Sequence, residues 1–343
     1  MKISFKNDYS EGCHPKILEA LMATNLEQQD GYGLDEYSLK AKQIIVDKLQ
    51  SPASKVFFVS GGTQANLVAI SSFLKPYQSV ISAETGHIFD NETGAIEATG
   101  HKVNPARSVN GKLTKETVQE VLDAHQIIPH QLMPKVVYIS NATEIGTVYN
   151  ASELKELYEY CQSKHLYLYM DGARLGQAIM SASNDLKFDD LAKYTDAFYL
   201  GATKNGGLIG EAIVINNPAL HEGFDFVLKQ KGALLSKGRL LGLQFLTLFE
   251  GDLFFELAKV ANDHARMISK AFKENGCKFW AETQSNQIFP ILDNDKIEVL
   301  AKDFDFYVWR KLDNDQSAIR IITSWATKEE NLEKFVVKVN ELK

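Results

Sequence analysis

Short apolar runs alternate with amphipathic stretches between about residues 56 and 215. The runs lie at residues 56–59 (VFFV), 79–82 (SVIS), 135–140 (KVVYIS), 166–170 (LYLYM), 197–200 (AFYL) and 212–215 (AIVI). Helical patterns follow several of them, at residues 65–73, 152–165 and 172–180. Strands that alternate with helices in this way predict a mainly parallel sheet covered on both faces.

The C-terminal part has a different pattern. The segments KFW, QIFPIL, DFYVWR and IRIITSW are typical of strands in a small sheet, with helices near 294–302 and from 328 to 342. Thr327 and Glu330 have the spacing of a capping box, which predicts the start of the last helix. A long helical stretch is predicted at about 251–275 and links the two parts. The strands and helices that follow it predict a small α+β unit at the end of the chain.

The length of 343 residues exceeds the usual size of one domain, which is roughly 100–200 residues. We therefore expect an N-terminal arm that also contributes to a small domain (residues 1–40), a large α/β domain (41–250) and a small C-terminal α+β domain (251–343).

Composition argues against two classes of partner. The chain is 45% hydrophobic and 24% charged, with a net charge of −7 and no basic tail, which disfavours nucleic-acid binding. The longest apolar segment, residues 240–249, is interrupted by Gln244 and is too short to cross a bilayer. The first twelve residues turn polar too early for a signal peptide. We expect neither a nucleic-acid partner nor membrane association.

The cysteines Cys13, Cys161 and Cys277 are far apart and form no CxxC pair. Such a sparse, odd set disfavours a disulfide framework or a metal site and is typical of a reducing compartment. The expected location is therefore cytoplasmic.

Polar residues follow the apolar runs at the points where ligands bind in a parallel α/β sheet, beyond the carboxyl ends of the strands. These residues are Ser60, Gly61, Gly62 and Thr63, then His87, Asn141, Asp171 with Arg174, and Lys204 before an Asn-Gly-Gly turn. Five strand ends thus bring a glycine-rich turn, an imidazole, an amide, a carboxylate with a guanidinium, and an amine to one sheet edge.

The ring of pyridoxal 5'-phosphate (PLP) would use three of these groups. Its pyridine nitrogen is an electron sink only when protonated, which requires a buried carboxylate such as Asp171. Its aldehyde forms an imine with an amine, for which Lys204 is suited. His87 could stack on the flat ring.

The phosphate and the substrate have matching groups as well. Gly61, Gly62 and Thr63 provide backbone N–H groups at a helix N-terminus, where a phosphate binds. Arg174 and Arg320 are candidates for binding a substrate carboxylate.

Each residue alone also has an ordinary structural interpretation. Thr63 or Asp171 could cap a helix, His87 could be a hydrogen-bonded structural histidine, and Lys204 or Arg320 could point to water. The combination of an aspartate after one strand and a lysine after a later one is what favours the cofactor site.

Several motifs, taken in order, resemble a known family. FVSGGTQAN, TGHIF, YMDGAR and GATKNGG are similar to segments of the threonine aldolase and β-eliminating lyase family of fold-type-I PLP enzymes, and NDYSEGCHP and GYGLDEYS are similar to its N-terminal arm. The likeness extends from about residue 5 to 325. It implies a PLP-dependent transferase-like α/β fold with a large and a small domain, an amino-acid substrate, and a homodimer or homotetramer.

The resemblance also implies residue roles. Cofactor binding is assigned to Gly61, Gly62, Thr63, His87, Asn141, Asp171, Arg174, Thr203 and Lys204. Substrate binding is assigned to Asn7, Arg174 and Arg320, and catalysis to Lys204, His87 and Asp171. Lys237 lies in a segment that in relatives is near the cofactor, in the same or the neighbouring subunit.

The chain departs from the family at Asn7, where serine is common, at Thr143, where histidine is common, and at Asn205, where glycine is common. The histidine is one candidate base for the substrate β-hydroxyl, so His87, or a water that it holds, would take that role. Glu144 is a further candidate.

Three hypotheses follow. The first is an aldolase that cleaves threonine or allo-threonine to glycine and an aldehyde. The second is a PLP-dependent β-elimination or transamination of another amino acid. The third is a nucleotide-binding or regulatory protein without PLP chemistry, but residues 61–66 lack the GxGxxG spacing that it would need.

Overall fold

Strands and helices alternate through most of the chain in a computed structural model that describes residues 2–342. The strands are β1 (Ile3–Ser4), β2 (Lys55–Val59), β3 (Gln78–Ala83), β4 (Val103–Ala106), β5 (Met133–Ser140), β6 (Tyr167–Asp171), β7 (Ala197–Gly201), β8 (Glu211–Ile215), β9 (Phe279–Ala281), β10 (Gln287–Asp293), β11 (Phe304–Asp305), β12 (Tyr307–Lys311) and β13 (Gln316–Ile322). The helices are α1 (Pro15–Thr24), α2 (Glu36–Lys48), α3 (Gly62–Phe73), α4 (His87–Asp90), α5 (Lys115–Asp123), α6 (Ala151–Ser163), α7 (Leu175–Ile179), α8 (Asp190–Tyr194), α9 (Phe224–Gln230), α10 (Arg239–Phe249), α11 (Leu253–Glu274), α12 (Asn294–Asp303) and α13 (Glu329–Asn340).

The large sheet has seven strands in the order β2-β8-β7-β6-β5-β3-β4. Strands β4, β3, β5, β6 and β7 are parallel, and β8 is antiparallel to both of its neighbours, β7 and β2. The prediction of a mainly parallel sheet is confirmed. Because β8 runs in the opposite direction, its first residue lies at the edge where the other strands end.

Side chains alternate between the two faces of this sheet, as a pleated strand requires. Val137 and Ile139 of β5 belong to one apolar cluster, whereas Val136 and Tyr138 belong to the other. Both faces of the sheet are buried under helices, which explains why the strands are nearly continuous apolar runs in the sequence.

A second, antiparallel sheet occupies the C-terminal part, in the order β12-β13-β10-β9. It packs with α11, α12 and α13 around a third apolar cluster that includes Phe272, Ile288, Ile319 and Phe335. The expected small α+β unit is confirmed, and α11 forms the predicted long helix.

The N-terminal segment contacts both parts. β1 pairs with β11, and Phe5 packs in the C-terminal cluster. Further along, α2 packs against α10 and β2 of the large part. Among residues 2–342, none of the helices is long and apolar enough to cross a membrane.

Two local features differ from expectation. The predicted capping box is wrong, because α13 begins after Lys328 with no side-chain cap, and the Thr327 hydroxyl instead accepts a hydrogen bond from Ser324 N at 2.8 Å. This bond closes the turn after β13. The edge strand β4 was not predicted, since it is short and contains Pro105, which is tolerated at an edge.

Candidate active site

A cavity of about 300 Å³ opens where the parallel strands end. Its wall contains most of the predicted site residues, namely Gly61, Gly62, Thr63, His87, Asp171, Arg174, Thr203 and Lys204. The other wall residues are Tyr9, Ser60, Glu92, Ser140, Ala142, Glu144, Ala173, Tyr199, Leu208, Ile209 and Glu211. The topology thus brings groups from five separate strand ends into one concave site.

Asp171 ends β6 and is almost fully buried, with a relative exposure of 4%. Its Oδ1 accepts hydrogen bonds from Tyr199 Oη at 2.5 Å and Ala173 N at 3.0 Å. Its Oδ2 accepts from Tyr138 Oη at 2.7 Å and Asn66 Nδ2 at 3.0 Å. Because all four partners donate, the arrangement favours an ionised carboxylate. Asp171 is not a helix cap, since α7 begins after Arg174.

An acidic network links Asp171 to His87. Glu92 Oε1 accepts from Asn66 Nδ2 at 2.8 Å and lies 2.9 Å from His87 Nδ1. Burial disfavours the imidazolium, but the bond to Glu92 and the charges of Asp171 and Glu92 outweigh it, so the pKa of His87 lies above its usual value. Burial likewise disfavours the Asp171 carboxylate, but His87 and the hydrogen-bond donors reverse the balance and lower the pKa of Asp171.

Lys204 lies in the loop after β7 and lines the cavity instead of pointing to bulk water. Its Nζ lies 6.0 Å from the centroid of the Tyr9 ring. Burial and the charge of Arg174 lower the pKa of Lys204, against the opposing charges of Asp8, Asp171 and Glu211. A lysine with a lowered pKa has a larger fraction of free amine, which is the form that reacts with an aldehyde.

The glycine-rich turn precedes α3, which has twelve residues. Gly61 is the N-cap and no side chain caps the helix, so Thr63 is not the cap residue. A Cβ on Gly62 would lie 2.9 Å from Tyr199 Oη, so a larger residue at this position would have to displace the tyrosine that donates to Asp171. The N–H groups of the first turn are therefore available to a phosphate at the cavity.

The two arginines differ in their partners. Arg174 donates to Asp8 from Nε at 2.7 Å and from Nη2 at 3.0 Å, and Asn286 also donates to Asp8. The guanidinium of Arg320 lies 5.2 Å from the ring centroid of Tyr307 and 5.0 Å from that of Trp309. Its buried Nε has no hydrogen-bond partner among residues 2–342.

Three predicted residues do not line the cavity. Asn7 Oδ1 accepts from Tyr9 N and Ser10 Oγ, which stabilises a local turn of the arm. Asn141 Oδ1 accepts from Tyr149 N at 3.2 Å, and its buried Nδ2 lacks a partner within the described chain. Arg320, in β13, is the third. Lys237 is exposed and also lies outside the cavity wall. The roles of these residues remain predictions.

Sequence reasoning missed several polar residues of the site. Glu92 lies five residues after His87 and beyond the end of α4, so no helical spacing could have suggested the contact. Tyr138 and Tyr199 lie within strands and resemble ordinary core residues. Glu211 precedes the apolar run of β8, and its position at the cavity depends on the reversed direction of that strand.

The donors and acceptors of the cavity fit PLP. The free helix N-terminus at Gly61 and Gly62 suits the phosphate, the ionised Asp171 suits a protonated ring nitrogen, and Lys204 supplies the amine for covalent attachment.

Comparison with known proteins agrees with this chemistry. The sequence model of the beta-eliminating lyase family matches residues 7–295. The threonine aldolase structure from Leishmania major is 45% identical, covers 99% of both chains and superposes with a TM-score of 0.97. A low specificity L-threonine aldolase from Pseudomonas sp. is 33% identical over 98% of this chain and 96% of the relative, and one from Pseudomonas aeruginosa is 31% identical over 94% and 93%. The chain belongs to the beta-eliminating lyase family.

Proposed function

We propose that this chain is a PLP-dependent carbon–carbon lyase that cleaves threonine or allo-threonine to glycine and acetaldehyde. The observation that carries the proposal is the convergence of Lys204, Asp171, His87 and Arg174 on one cavity. The relatives named above support the reaction type. When bound, PLP withdraws electrons from the substrate Cα, which weakens the Cα–Cβ bond.

Asp171 and Lys204 hold the cofactor in this proposal. The lowered pKa of Asp171 keeps it anionic at neutral pH, so that it can retain a proton on the ring nitrogen. Lys204 provides the attachment point, and Thr203 lies beside it in the cavity wall.

Arg320 is the better of the two arginines for the substrate carboxylate. The two hydrogen bonds from Arg174 to Asp8 already use much of its guanidinium. Arg320 retains a buried Nε without a partner in residues 2–342, and a carboxylate would satisfy it. Arg174 then contributes positive charge and holds the arm through Asp8.

The base for the β-hydroxyl is proposed to be His87, acting directly or through a water molecule. Its Nδ1 is occupied by Glu92, which leaves Nε2 as the proton acceptor. Thr143, at the position where relatives often carry histidine, is buried and its hydroxyl bonds to Thr147 at 2.7 Å. It therefore offers no contact to the substrate hydroxyl, and we expect little discrimination at Cβ.

Glu144 is the alternative base. Its Oε1 accepts from Ser140 Oγ at 2.6 Å and from His87 N at 3.0 Å, and it lines the same cavity. Burial raises the pKa of Glu144. A carboxyl group with a raised pKa can accept a proton more readily.

The assembly is proposed to be a homodimer or homotetramer in the cytoplasm. The N-terminal arm exposes large apolar side chains, with relative exposures of 80% for Met22, 93% for Leu26 and 62% for Leu34, which is costly in water. The three cysteines are free, as a reducing compartment would keep them.

The decisive experiment supplies all four stereoisomers of threonine and measures glycine and acetaldehyde. Cleavage of both threo and erythro L-isomers at comparable kcat/KM is the expected result. Release of ammonia and a keto acid would instead indicate elimination, and a keto acid with an aminated cofactor would indicate transamination.

A further inference from the structure

Glu211 is a buried carboxyl group in the wall of the cavity. It is the first residue of β8, its relative exposure is 5%, and it lies in the cavity wall. A buried carboxyl beside a site that must hold a phosphate anion needs an explanation, because like charges at close range repel each other.

The strand register places Glu211 between the two halves of the proposed cofactor site. On one side it pairs with Val59, which precedes the glycine-rich turn. On the other side it pairs with Gly201, which precedes Thr203 and Lys204. Glu211 therefore lies next to both the phosphate turn and the loop of the attachment lysine.

Its contacts tie the carboxyl group to the lysine loop. Glu211 Oε2 accepts a hydrogen bond from Ala202 N at 2.9 Å, in the loop that leads to Lys204. Thr203 Oγ1 accepts from Gly210 N at 3.1 Å. The backbone N–H of Ala202 can only donate a hydrogen bond. It therefore cannot accept a hydrogen bond from the O–H of protonated Glu211.

The electrostatic balance favours the acid form. Burial raises the pKa of Glu211 to about 8, against the opposing effects of Thr203, Lys204 and Ala202. Charged or titratable groups that interact with Glu211 include Lys204 from the loop, Asp171 from β6, and the phenols Tyr199 and Tyr169 from β7 and β6. A phosphate dianion at the neighbouring turn would favour the neutral acid further.

We propose that Glu211, in its protonated form, donates a hydrogen bond to the cofactor phosphate and so forms part of the phosphate site together with Gly61, Gly62 and Thr63. The carbonyl oxygen of the acid accepts the hydrogen bond from Ala202 N, while its O–H donates a hydrogen bond to the phosphate. Deprotonation replaces this donor with a negative charge and weakens phosphate binding. This inference rests on the proposed cofactor site.

The test compares PLP with pyridoxal, which lacks the phosphate. Full-length protein freed of cofactor is titrated with each compound in phosphate-free buffer at pH 7 and pH 9, and binding is followed by absorbance. The ionisation of Lys204 affects both compounds, so the ratio of their dissociation constants isolates the phosphate. The phosphate itself is almost entirely dianionic across this range, since its second pKa is about 6.

The ratio Kd(PLP)/Kd(pyridoxal) should rise about tenfold from pH 7 to pH 9 in the wild type, as expected for a group that titrates at about 8. In Glu211→Gln, which keeps a neutral donor, the ratio should stay constant with pH. Glu211→Ala should bind PLP more weakly than Glu211→Gln at both pH values. Glu222→Gln, a charge-matched change at an exposed position, should behave as the wild type.

Three results would overturn the inference: a constant ratio in the wild type, the same rise in Glu211→Gln, or equal PLP affinity of the Gln and Ala variants. In that case Glu211 would only stabilise the loop of Lys204 through its hydrogen bond with Ala202 N. The wild-type titration alone decides the matter if the Ala variant does not fold. Failure of the wild type to bind PLP at all would overturn the proposed function as well, which is a distinguishable result.

Discussion

Replacing Asp171 by asparagine tests the electrostatic design of the site. The side chain is 4% exposed and accepts four hydrogen bonds, from Tyr199, Tyr138, Asn66 and Ala173. Asparagine has nearly the same shape, but its NH₂ group donates where an oxygen accepted, and it carries no charge. The change therefore removes the charge proposed to pair with the ring nitrogen, while it preserves the packing.

The expected loss of activity follows from the charge. An opposite charge at this range shifts a pKa by about 1–3 units, and each unit corresponds to about 1.4 kcal/mol. If that stabilisation is needed in the transition state, kcat/KM falls by about 10- to 1,000-fold. One buried donor left without an acceptor should also lower the free energy of unfolding by about 1–3 kcal/mol.

The assay couples acetaldehyde release to NADH oxidation, with thermal unfolding measured in parallel. Asp295→Asn, at an exposed position of α12, is the matched control and should be unchanged in both measurements. An Asp171→Asn variant with kcat/KM within twofold of wild type would refute the assignment of Asp171 to the ring nitrogen.

The remaining predictions concern the base, the substrate carboxylate and the assembly. His87→Phe keeps an aromatic ring but no proton acceptor, so kcat should fall by about 100-fold or more, and wild-type cleavage would transfer the role to Glu144 or water. Because the pKa of His87 is raised, its neutral, basic form becomes populated only above the usual titration range of histidine. kcat/KM should therefore rise with pH through that raised pKa, and a pH profile unchanged in His87→Phe would contradict this. Arg320→Gln should lower kcat/KM by about 10- to 150-fold, the equivalent of a charged hydrogen bond of about 1.5–3 kcal/mol, mainly through KM, whereas an unaffected KM would place the carboxylate elsewhere. Sedimentation should give a dimer or tetramer, and a fully active monomer at assay concentration would exclude the proposed assembly.

Local sequence patterns were sufficient to predict most strands of the large sheet and several residues of the cavity wall. The apolar runs that form β5, β6 and β7 are buried on both faces, so these strands and the polar residues at their ends could be recognised without a structure. The positions of Asp171 and Lys204 could be predicted because Asp171 directly follows one such run and Lys204 lies in the turn after the next.

Features that depend on contacts between distant segments could not be predicted. The ion pair of Arg174 with Asp8 joins residues far apart in the chain, and no spacing rule connects them. Glu211 reaches the cavity only because β8 is reversed, and an apolar run carries no sign of its direction. The prediction of a capping box at Thr327 was wrong because the Thr327 hydroxyl accepts a hydrogen bond from Ser324 N in the preceding turn.

The central claim is that Lys204 carries the cofactor, and borohydride trapping tests it most directly. Reduction of the yellow holoenzyme, which should absorb at about 420 nm, converts the covalent link between PLP and its lysine into a stable amine. Peptide mapping by mass spectrometry should then find the added pyridoxyl phosphate mass on the peptide that contains Lys204, and Lys204→Ala should show neither the band nor the label. A label on a different lysine, or an unchanged band in Lys204→Ala, would contradict the account.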